Sequence, residues 1–578
     1  MSMQLVTSYR HTATALATLV AMAGFAGSGA WHAPEATAQA AIFVNSTADP
    51  PNPREECAED AATCTLRGAL LFVQQQERGG IIRACFDPAE VPGAAPCPPG
   101  KKPLTKRDPG YDETLGKWVI KQRTERAFLL TENGTIMDFR QGLTWNSPAD
   151  NRIILEPGLP NTEAAFQVVS ENNVVAGIEF RGAFSVAAIY LPGGTFGEAS
   201  ANNQIGPGNI FAGITRGAGV KLSGEVTFGN RVFGNWCGIT GDGSVRSAVH
   251  EDCIQLDQGT YGNVIGDRAV ENRNVFAASE LGSGVVVEGP ETHDTEIRGN
   301  WFGMDFTGAQ RIGLKSGIQL VYTPIDTRII GNVISGNDNA GIALFDAIED
   351  VLIEDNIIGA DPDGERCIPN IGFGIALQGG PRGTRIVRNH ILCNNAGGIL
   401  AQGGGTQNNL FTENRITRNN GHAIDTIQGA HAGILLPVID LATRTTVRGA
   451  ACPSCRVEVF SDPDKEAAVY EGVVTAGSDG RFSFEKAAGF AHDNVTVTAS
   501  NDVVTSALSA AVVVSGGPEP TTPTVETPAT PTATAETPET PPTPTSATPS
   551  PTPCTGPECA PASTLYLPWT GSRASTGS

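Results

Sequence analysis

The segment 331–336 reads Gly-Asn-Val-Ile-Ser-Gly, and variants of this phrase recur between about residues 200 and 430. Its asparagine returns at spacings of 32, 24, 33 and 25 residues, at Asn300, Asn332, Asn356, Asn389 and Asn414. A second phrase, glycine followed by alternating apolar residues, keeps the same rhythm at Gly284, Gly317, Gly341, Gly374 and Gly398. Period-two alternation indicates short strands that each bury one face. Because a coil of about 24 residues cannot bury that face alone, the sequence predicts stacked coils with an internal asparagine ladder.

Two of the intervals are longer than one coil, and each contains a glycine-bounded insert. The inserts are 303–308, Gly-Met-Asp-Phe-Thr-Gly, and 359–364, Gly-Ala-Asp-Pro-Asp-Gly. We interpret them as loops added to a regular coil, because loops accept insertions more easily than strands do. The predicted fold class is therefore an all-β solenoid, a parallel β-helix.

The repeats resemble those of a known family. The strings at 202–206, 262–266 and 273–276 are similar to repeats of bacterial secreted right-handed parallel β-helix proteins of the pectate-lyase-like superfamily. The segment 64–69, Cys-Thr-Leu-Arg-Gly-Ala, resembles their N-terminal Cys-Ser-Leu-Arg-Glu-Ala motif, with Thr for Ser and Gly for Glu. The resemblance covers about 41–515 and implies a right-handed β-helix, often followed by a small sandwich. It implies no chemistry, since this fold carries lyases, hydrolases, epimerases and adhesins.

The chain divides into six segments by pattern and composition. They are a signal peptide (1–40), an N-terminal cap with the first coils (41–150), the β-helix (151–430), an immunoglobulin-like β-sandwich (434–515), a disordered Pro/Thr-rich linker (516–553) and a C-terminal tail (554–578). The cap contains one predicted helix, from Leu66 to Gln76, because a solenoid end must cover its unpaired strands.

Charge and hydropathy limit the partners. The net charge of −22 argues against nucleic acid, whose backbone requires clustered Lys and Arg. The apolar run 12–27 after Arg10 is followed by Ala38-Gln39-Ala40, a small-x-small cleavage site, and no later segment is apolar enough to span a membrane. We therefore expect a secreted or cell-surface monomer without a transmembrane segment in its mature form.

The twelve cysteines fall into six couples that are close in sequence. The couples are Cys57/Cys64, Cys85/Cys97, Cys237/Cys253, Cys367/Cys393, Cys452/Cys455 and Cys554/Cys559. An even count in an exported protein favours disulfides. Cys452 and Cys455 could also begin a zinc site, but the second ligand pair of such a site is missing.

The outward positions of the strands that follow the recurring glycines form two columns in the predicted register. The first column is Val286, Gln319, Ala343, Ala376, Leu400 and Asp425, and the second is Glu288, Val321, Phe345, Gln378, Gln402 and Ile427. Neither contains a basic residue or a facing pair of carboxylates, which glycoside hydrolysis needs. The sequence therefore assigns no catalytic residue on these strands.

Charged residues gather instead around the recurring asparagine. In successive coils, the position before the asparagine is occupied by Gly299, Gly331, Asp355, Arg388 and Glu413. The position after it is occupied by Trp301, Val333, Ile357, His390 and Arg415. Alternating signs favour a surface ladder of ion pairs. The alternative hypothesis is a subsite for an acidic sugar built from Arg388, His390 and Arg415, with His390 as a general base.

The second insert has the oxygen-rich composition of a cation-binding loop. Asp361, Asp363 and Glu365 are candidate Ca²⁺ ligands, although the spacing falls short of a full calcium loop and tight turns also favour Asp and Gly. We predict no cofactor, with Ca²⁺ as the alternative. The favoured function is non-catalytic binding of a polysaccharide or cell-surface glycan, or adhesion. The alternative is a lyase, epimerase or hydrolase that acts on an acidic polysaccharide.

Overall fold

The computed structural model describes residues 41–50, 57, 63–140, 143, 146–194, 197–241 and 246–515. The predicted signal peptide, the Pro/Thr-rich linker and the tail with Cys554 and Cys559 lie outside the described residues. Within them the chain forms three stacks of parallel strands, called here sheets A, B and C. The prediction of a parallel β-helix is confirmed.

Sheet A has twelve strands in chain order. They are Ile42–Val44, Ile81–Ala84, Ile136–Asp138, Val174–Ala176, Gln204–Ile205, Arg231–Val232, Val264–Gly266, Glu296–Arg298, Arg328–Ile330, Leu352–Glu354, Arg385–Val387 and Leu410–Thr412. Each strand pairs with its counterpart one coil away, as Glu296 does with Arg328.

Sheet B follows sheet A in each coil, and sheet C completes the coil. Sheet B contains Lys117–Gln122, Ile153–Pro157, Ile178–Pro192, Ile210–Ser223, Trp236–Cys237, Val275–Phe276, Trp301–Phe302, Val333–Ile334, Ile357–Ile358, His390–Leu392 and Arg415–Thr417. Sheet C contains Phe128–Leu130, Phe166–Val168, the ends of Ile178–Pro192 and Ile210–Ser223, Ile254–Asp257, Val285–Glu288, Ile318–Val321, Ile342–Phe345, Phe373–Gln378, Gly397–Gln402 and Ile424–Ile427.

The core is the inside of the coil, and period-two alternation decides which residues enter it. On sheet C the inward column includes Ile254, Val285, Ile318, Ile342 and Ile375, all almost fully buried. A slip of one residue would turn this whole set to the solvent face, so burial fixes the register.

Three asparagine ladders line the turns, where the sequence predicted one. The predicted ladder runs from Asn235 through Asn274 to Asn414 with amide-to-amide hydrogen bonds of 2.9–3.1 Å. A second joins Asn173, Asn203, Asn230 and Asn263. A third joins Asn337, Asn370, Asn394 and Asn419. Each side chain satisfies buried polar groups that the turns leave without a strand partner.

The inserts are hairpins that cover the outer face of sheet B. Antiparallel bridges close them at Ile239/Arg246, Met304/Arg311 and Ala360/Cys367. The outward sheet B residues form apolar clusters with insert residues: Ile210, Trp236 and Val275 with Ile239, and Val333 with Met304 and Ile368. Sheet B is therefore sealed on both faces over these coils.

The N-terminal end is closed by the helix Leu66–Gln75, close to the predicted 66–76. The Thr65 hydroxyl caps it by accepting a hydrogen bond from the backbone N–H of Gly68 at 3.1 Å. Its buried residues, among them Leu66, Leu70 and Val73, join the core cluster of the coils. Short elements elsewhere in the coils are Tyr111–Asp112, antiparallel to Lys117–Gln122, and the 3₁₀ turns Pro148–Asp150 and Val270–Asn272.

After the last coil the chain forms two antiparallel sheets, called here the two-sheet domain. One sheet has the strands Val438–Ala442, Thr446–Ala450 and Arg481–Glu485, and the other has Val469–Thr475, Arg456–Asp462, Asn494–Ser500 and Val512–Val513. They share an apolar core that includes Val447 and Phe482 from one sheet and Val457 and Val497 from the other. The immunoglobulin-like classification stays a prediction.

Five of the six cysteine couples form disulfides. They are Cys57–Cys64, Cys85–Cys97, Cys237–Cys253, Cys367–Cys393 and Cys452–Cys455. The bond from Cys367 to Cys393 ties the third hairpin to the next coil. In the described part of the chain, no helix has the length and apolar character needed to cross a bilayer.

Candidate functional site

The outer face of sheet C is a regular surface that the inserts leave uncovered. Its first outward column runs Gln167, Tyr190, Lys221, Gln255, Val286, Gln319, Ala343, Ala376, Leu400 and Asp425. The second, two residues further on, runs Ser223, Asp257, Glu288, Val321, Phe345, Gln378, Gln402 and Ile427. From Val286 and Glu288 onward the order is the predicted one.

The C-terminal half of this face is apolar with amide groups. Ala343, Ala376 and Leu400 form a buried strip against which Phe345 and Phe373 pack. Beside the strip Gln378 donates a hydrogen bond to Gln402, one coil away, at 2.5 Å. Aromatic rings supply apolar contact and amides supply both donors and acceptors, so this half suits a ligand with apolar faces and hydroxyl edges.

The N-terminal half is polar, which the repeat pattern did not predict. Lys221 forms an ion pair with Asp257 at 2.8 Å, and Gln255 donates to Glu288 at 3.2 Å. Burial and the neighbouring Asp257 carboxylate raise the pKa of Tyr190. The Oδ1 atom of Asp257 is shielded from solvent and has no hydrogen-bond partner among the described residues.

The two predicted columns contain no adjacent carboxylates, but they begin one coil too late to include Asp257. In the second column Asp257 precedes Glu288, and the strand that contains Asp257 follows Cys253 instead of the recurring glycine. The alternation in Ile254-Gln255-Leu256-Asp257 was the signal that could have placed Asp257 outward.

An acidic groove continues the face beyond the second column. Three stacked turns at 224–225, 258–259 and 289–291 enclose about 370 Å³. A Cβ atom on Gly259 would lie 2.9 Å from Cγ of Glu225 and 3.3 Å from Cβ of Glu291, so both acidic side chains border this glycine. The negative charge around the groove disfavours an anionic ligand.

The position before each of the five asparagines used to predict the ladder is a bend and not a strand column. Asp355, Arg388 and Glu413 have φ of 55°, 52° and 57°, and Gly299 and Gly331 have φ of 64°. The glycines in this column were the available signal, because positive φ favours glycine. The predicted register around the asparagine is thus corrected at this position.

The structure does not gather Arg388, His390 and Arg415 around a shared open space. Arg388 is ion-paired with Glu354 at 2.5 Å and Asp355 at 3.0 Å, and Arg415 donates to the backbone oxygen of Ala468 at 3.0 Å. The contacts of Arg388 agree with the predicted surface ladder of ion pairs. Glu413, the next residue of that ladder, pairs instead with Arg456 of the two-sheet domain at 3.3 Å.

His390 lies half-buried beneath the third hairpin. Its Nδ1 atom would be 2.9 Å from a Cβ atom on Gly364, so the hairpin backbone passes close over the ring. Burial, followed by the charges of Arg415 and Arg418, lowers the pKa of His390 to about 4. An imidazole with this pKa is neutral at pH 7 and a weak base.

The candidate calcium ligands lie in the turn of the same hairpin. The Asp361 carboxylate accepts backbone N–H groups of Glu365 at 3.0 Å and Arg366 at 3.1 Å, as Asp305 does for Ala309 and Gln310 in the preceding hairpin. Asp363 and Glu365 are exposed. Among the residues described, no group of three or more His, Cys, Asp or Glu has the geometry of a metal site. Calcium binding stays a prediction.

These features define the chain as a parallel β-helix protein with an uncovered, ordered outer face on sheet C. Residues 292–436, about a quarter of the chain, match the family model described as periplasmic copper-binding protein (NosD). No curated protein sequence matches the chain.

Solved structures give similar folds at low identity. The A-module of the Azotobacter vinelandii mannuronan C-5 epimerase AlgE6 is 12% identical, with a TM-score of 0.41 over 63% of this chain and 92% of that chain. PfbA, a surface adhesin of Streptococcus pneumoniae, is 10% identical, with a TM-score of 0.33 over 68% and 90%. The catalytic domain of a GH87 α-1,3-glucanase is 11% identical, with a TM-score of 0.33 over 66% and 70%. These likenesses concern the fold alone.

Proposed function

We propose that this chain is a secreted or surface-displayed protein that binds an uncharged glycan, or a similar polymer, along the outer face of sheet C without catalysis. The observation that carries the proposal is the continuous strip of Ala343, Ala376 and Leu400, bordered by Phe345 and by the Gln378–Gln402 pair. A linear polymer fits such a face because the coils repeat every 4.8 Å or so along it. The five disulfides support an oxidising compartment.

Charge favours an uncharged polymer over a polyuronate. The only cation in the two outward columns as described, Lys221, is already paired with Asp257, and the adjacent groove has Glu225 and Glu291 on its walls. The net charge of −22 adds long-range repulsion of polyanions. An acidic polysaccharide is therefore the less favoured ligand.

We expect the full chain to bind neutral polysaccharides such as glucans or mannans in affinity electrophoresis, and polyuronates weakly or not at all. Phe345→Ala and Gln402→Ala are each expected to raise Kd about tenfold, which corresponds to ~1.4 kcal/mol of lost contact. Gln204→Ala, an exposed glutamine on sheet A, is the matched control and should leave Kd unchanged. The proposal would be contradicted if Phe345→Ala and Gln402→Ala bound the polymer as tightly as the natural chain does, or if the natural chain preferred polyuronates. Repeating the assay with Ca²⁺ and with a chelator tests the calcium prediction.

A second candidate function is glycoside hydrolysis, which one observation favours. Asp257 and Glu288 occupy successive coils of one outward column, and strands in a sheet lie about 4.8 Å apart. Two carboxyl groups roughly 5–9.5 Å apart can hydrolyse a glycosidic bond. Asp257, paired with Lys221, would serve as base or nucleophile, and Glu288 would protonate the leaving oxygen.

This candidate predicts new reducing ends from a neutral polysaccharide. Asp257→Asn and Glu288→Gln would each lower the rate about a hundredfold or more, while polymer retention in electrophoresis persists. Product that forms equally fast with both variants, or no product from neutral polymers, would reject hydrolysis and leave binding alone. Unsaturated product from a polyuronate, followed by absorbance, would instead favour a lyase.

A further inference from the structure

The two-sheet domain closes the C-terminal end of the β-helix by direct contact with its last coil. Ile416 and Ala467 form an antiparallel bridge, with N···O distances of 2.9 and 2.8 Å in the two directions. Phe460 and Ala467 belong to the same apolar core cluster as the coils. On the neighbouring strand the Thr505 hydroxyl accepts from the N–H of Phe411 at 2.9 Å and donates to its carbonyl at 3.0 Å. The domain therefore occupies the place that another coil would fill.

Three acidic residues spaced four apart, Glu458, Asp462 and Glu466, meet the polar groups of that coil. Glu458 accepts hydrogen bonds from the Thr412 hydroxyl and from the N–H of Glu413, the latter at 2.9 Å. Asp462 accepts from the Thr417 hydroxyl at 2.9 Å. Glu466 accepts from the N–H of Asn419 at 3.1 Å.

Glu466 stands where the next asparagine of the third ladder would be. One coil earlier the N–H of Asn394 is accepted by the Asn419 side chain at 2.9 Å, and the same N–H of Asn419 turns to Glu466. The Asn419 amide also donates to Glu466, at 3.4 Å. A ladder of neutral amides thus ends on a group that can take up or lose a proton.

The surroundings of Glu466 penalise its charge. The residue is only 8% exposed. Its own loop adds the like charges of Asp462 and Asp464, and the coil faces it with the neutral Asn419. The two arginines of the last coil have other partners, since Arg415 binds the carbonyl of Ala468 and Arg418 that of Glu365, and Lys465 on the same loop as Glu466 is exposed to solvent. Glu458, by contrast, has Arg456 at 3.1 Å.

We propose that the two-sheet domain is a proton-linked cap of the β-helix, which docks more tightly on the last coil in mildly acidic medium because docking takes up a proton at Glu466. The ladder and bridge hold the cap in register, and the buried Glu466 carboxyl, which has no cation partner, makes its docking depend on pH. The imidazole at the same junction, His431, contacts the Thr505 carbonyl oxygen at 2.8 Å, and burial lowers its pKa, so its contribution has the opposite sign. This device is independent of what binds to sheet C.

The direction follows from linkage. Burial raises the pKa of Glu466 from its ordinary 4.5 to about 7 in the docked state. A raised pKa contributes stability that is fully present below pH 4.5 and is lost as the pH rises through about 7. For one proton, the docking constant should fall by roughly tenfold to fiftyfold between about pH 5 and 7.5.

The test is hydrogen exchange on the full chain at several pH values. Protection factors, which already correct for the intrinsic pH dependence of exchange, are measured for peptides that cover 411–419 and 460–470. In the natural chain they should fall by tenfold to fiftyfold from about pH 5 to 7.5, while peptides from the central coils stay constant.

Glu466→Gln is the decisive variant, because glutamine keeps the acceptor oxygen and cannot ionise. Its protection factors at the junction should no longer fall as the pH rises, whereas Glu485→Gln, which changes an exposed glutamate of the same domain, should behave like the natural chain. A flat profile in the natural chain, or the same decline in Glu466→Gln, would overturn the proposal. If Glu466→Gln does not fold, the pH dependence of the protection factors in the natural chain still tests the proposal, because a flat profile would contradict it.

Discussion

Replacing Asn356 by alanine is expected to lower the free energy of unfolding by about 3–5 kcal/mol, because it removes four buried hydrogen bonds at once. The Asn356 side chain accepts from the N–H and the amide of Asn332 at 2.9 and 3.0 Å. It donates to the Ile329 carbonyl and to Asn389, both at 2.9 Å. Alanine can replace none of these, and each buried group left without a partner costs ~1–3 kcal/mol.

The measurement is denaturant unfolding of the full chain, with an exposed asparagine as the control. Asn420→Ala removes one exposed hydrogen bond, to Asn395 at 3.3 Å, and should change stability by no more than about 0.5 kcal/mol. Similar losses for the two variants would mean that the ladder contributes little beyond ordinary turn polarity. The comparison separates burial of the amide from the preference of turns for asparagine.

The repeat phrases were sufficient to predict the register of the later coils. The pairing of Val286 with Gln319, of Gln319 with Ala343 and of Ala376 with Leu400 is the predicted one. A strand with one buried face has only one register that keeps its apolar residues inside. Glycine and asparagine mark the turns, so counting between them fixed both strand position and orientation.

The earlier coils could not be predicted in the same way. Strands Ile178–Pro192 and Ile210–Ser223 run without interruption through sheets B and C, so they lack the turn signals on which the counting depends. Lys221, on the second of these strands, therefore stayed outside the predicted columns. Asp257 was missed for another reason, because its strand follows Cys253 instead of the recurring glycine. Alternation alone does not tell which coil a strand belongs to.

Burial of the outer side of sheet B also could not be predicted from the sequence. Val333 and Ile357 alternate with inward residues as exposed positions would, yet Val333 is 7% exposed because Met304 and Ile368 of the hairpins pack on it. A hairpin that folds back over its own coil makes tertiary contacts that local periodicity does not encode. The same cover explains why His390 is less accessible than its position predicts.

The ion pair at the start of sheet B is where we expect the second large loss of stability. Lys117 and Glu179 are nearly or fully buried and lie 2.5 Å apart, and Arg181 also contacts Glu179. Gly241 of the first hairpin covers them, since a Cβ atom there would lie 2.9 Å from the Lys117 ammonium. Glu179→Ala should therefore cost about 3–5 kcal/mol, because the ammonium would stay buried without its partner.

A double variant distinguishes the cost of an unpaired charge from the value of the pair. Lys117→Met with Glu179→Leu removes both charges and keeps the volume, so we expect a stability within about 1 kcal/mol of the natural chain, or higher. Lys121→Ala, which removes an exposed pair with Glu156 at 3.9 Å, should cost at most about 0.5 kcal/mol. If the double variant lost as much as Glu179→Ala, the pair itself would stabilise the first coils. If the double variant kept its stability, the stability of that region would come from apolar packing. The buried charges would then serve to position the hairpin over sheet B.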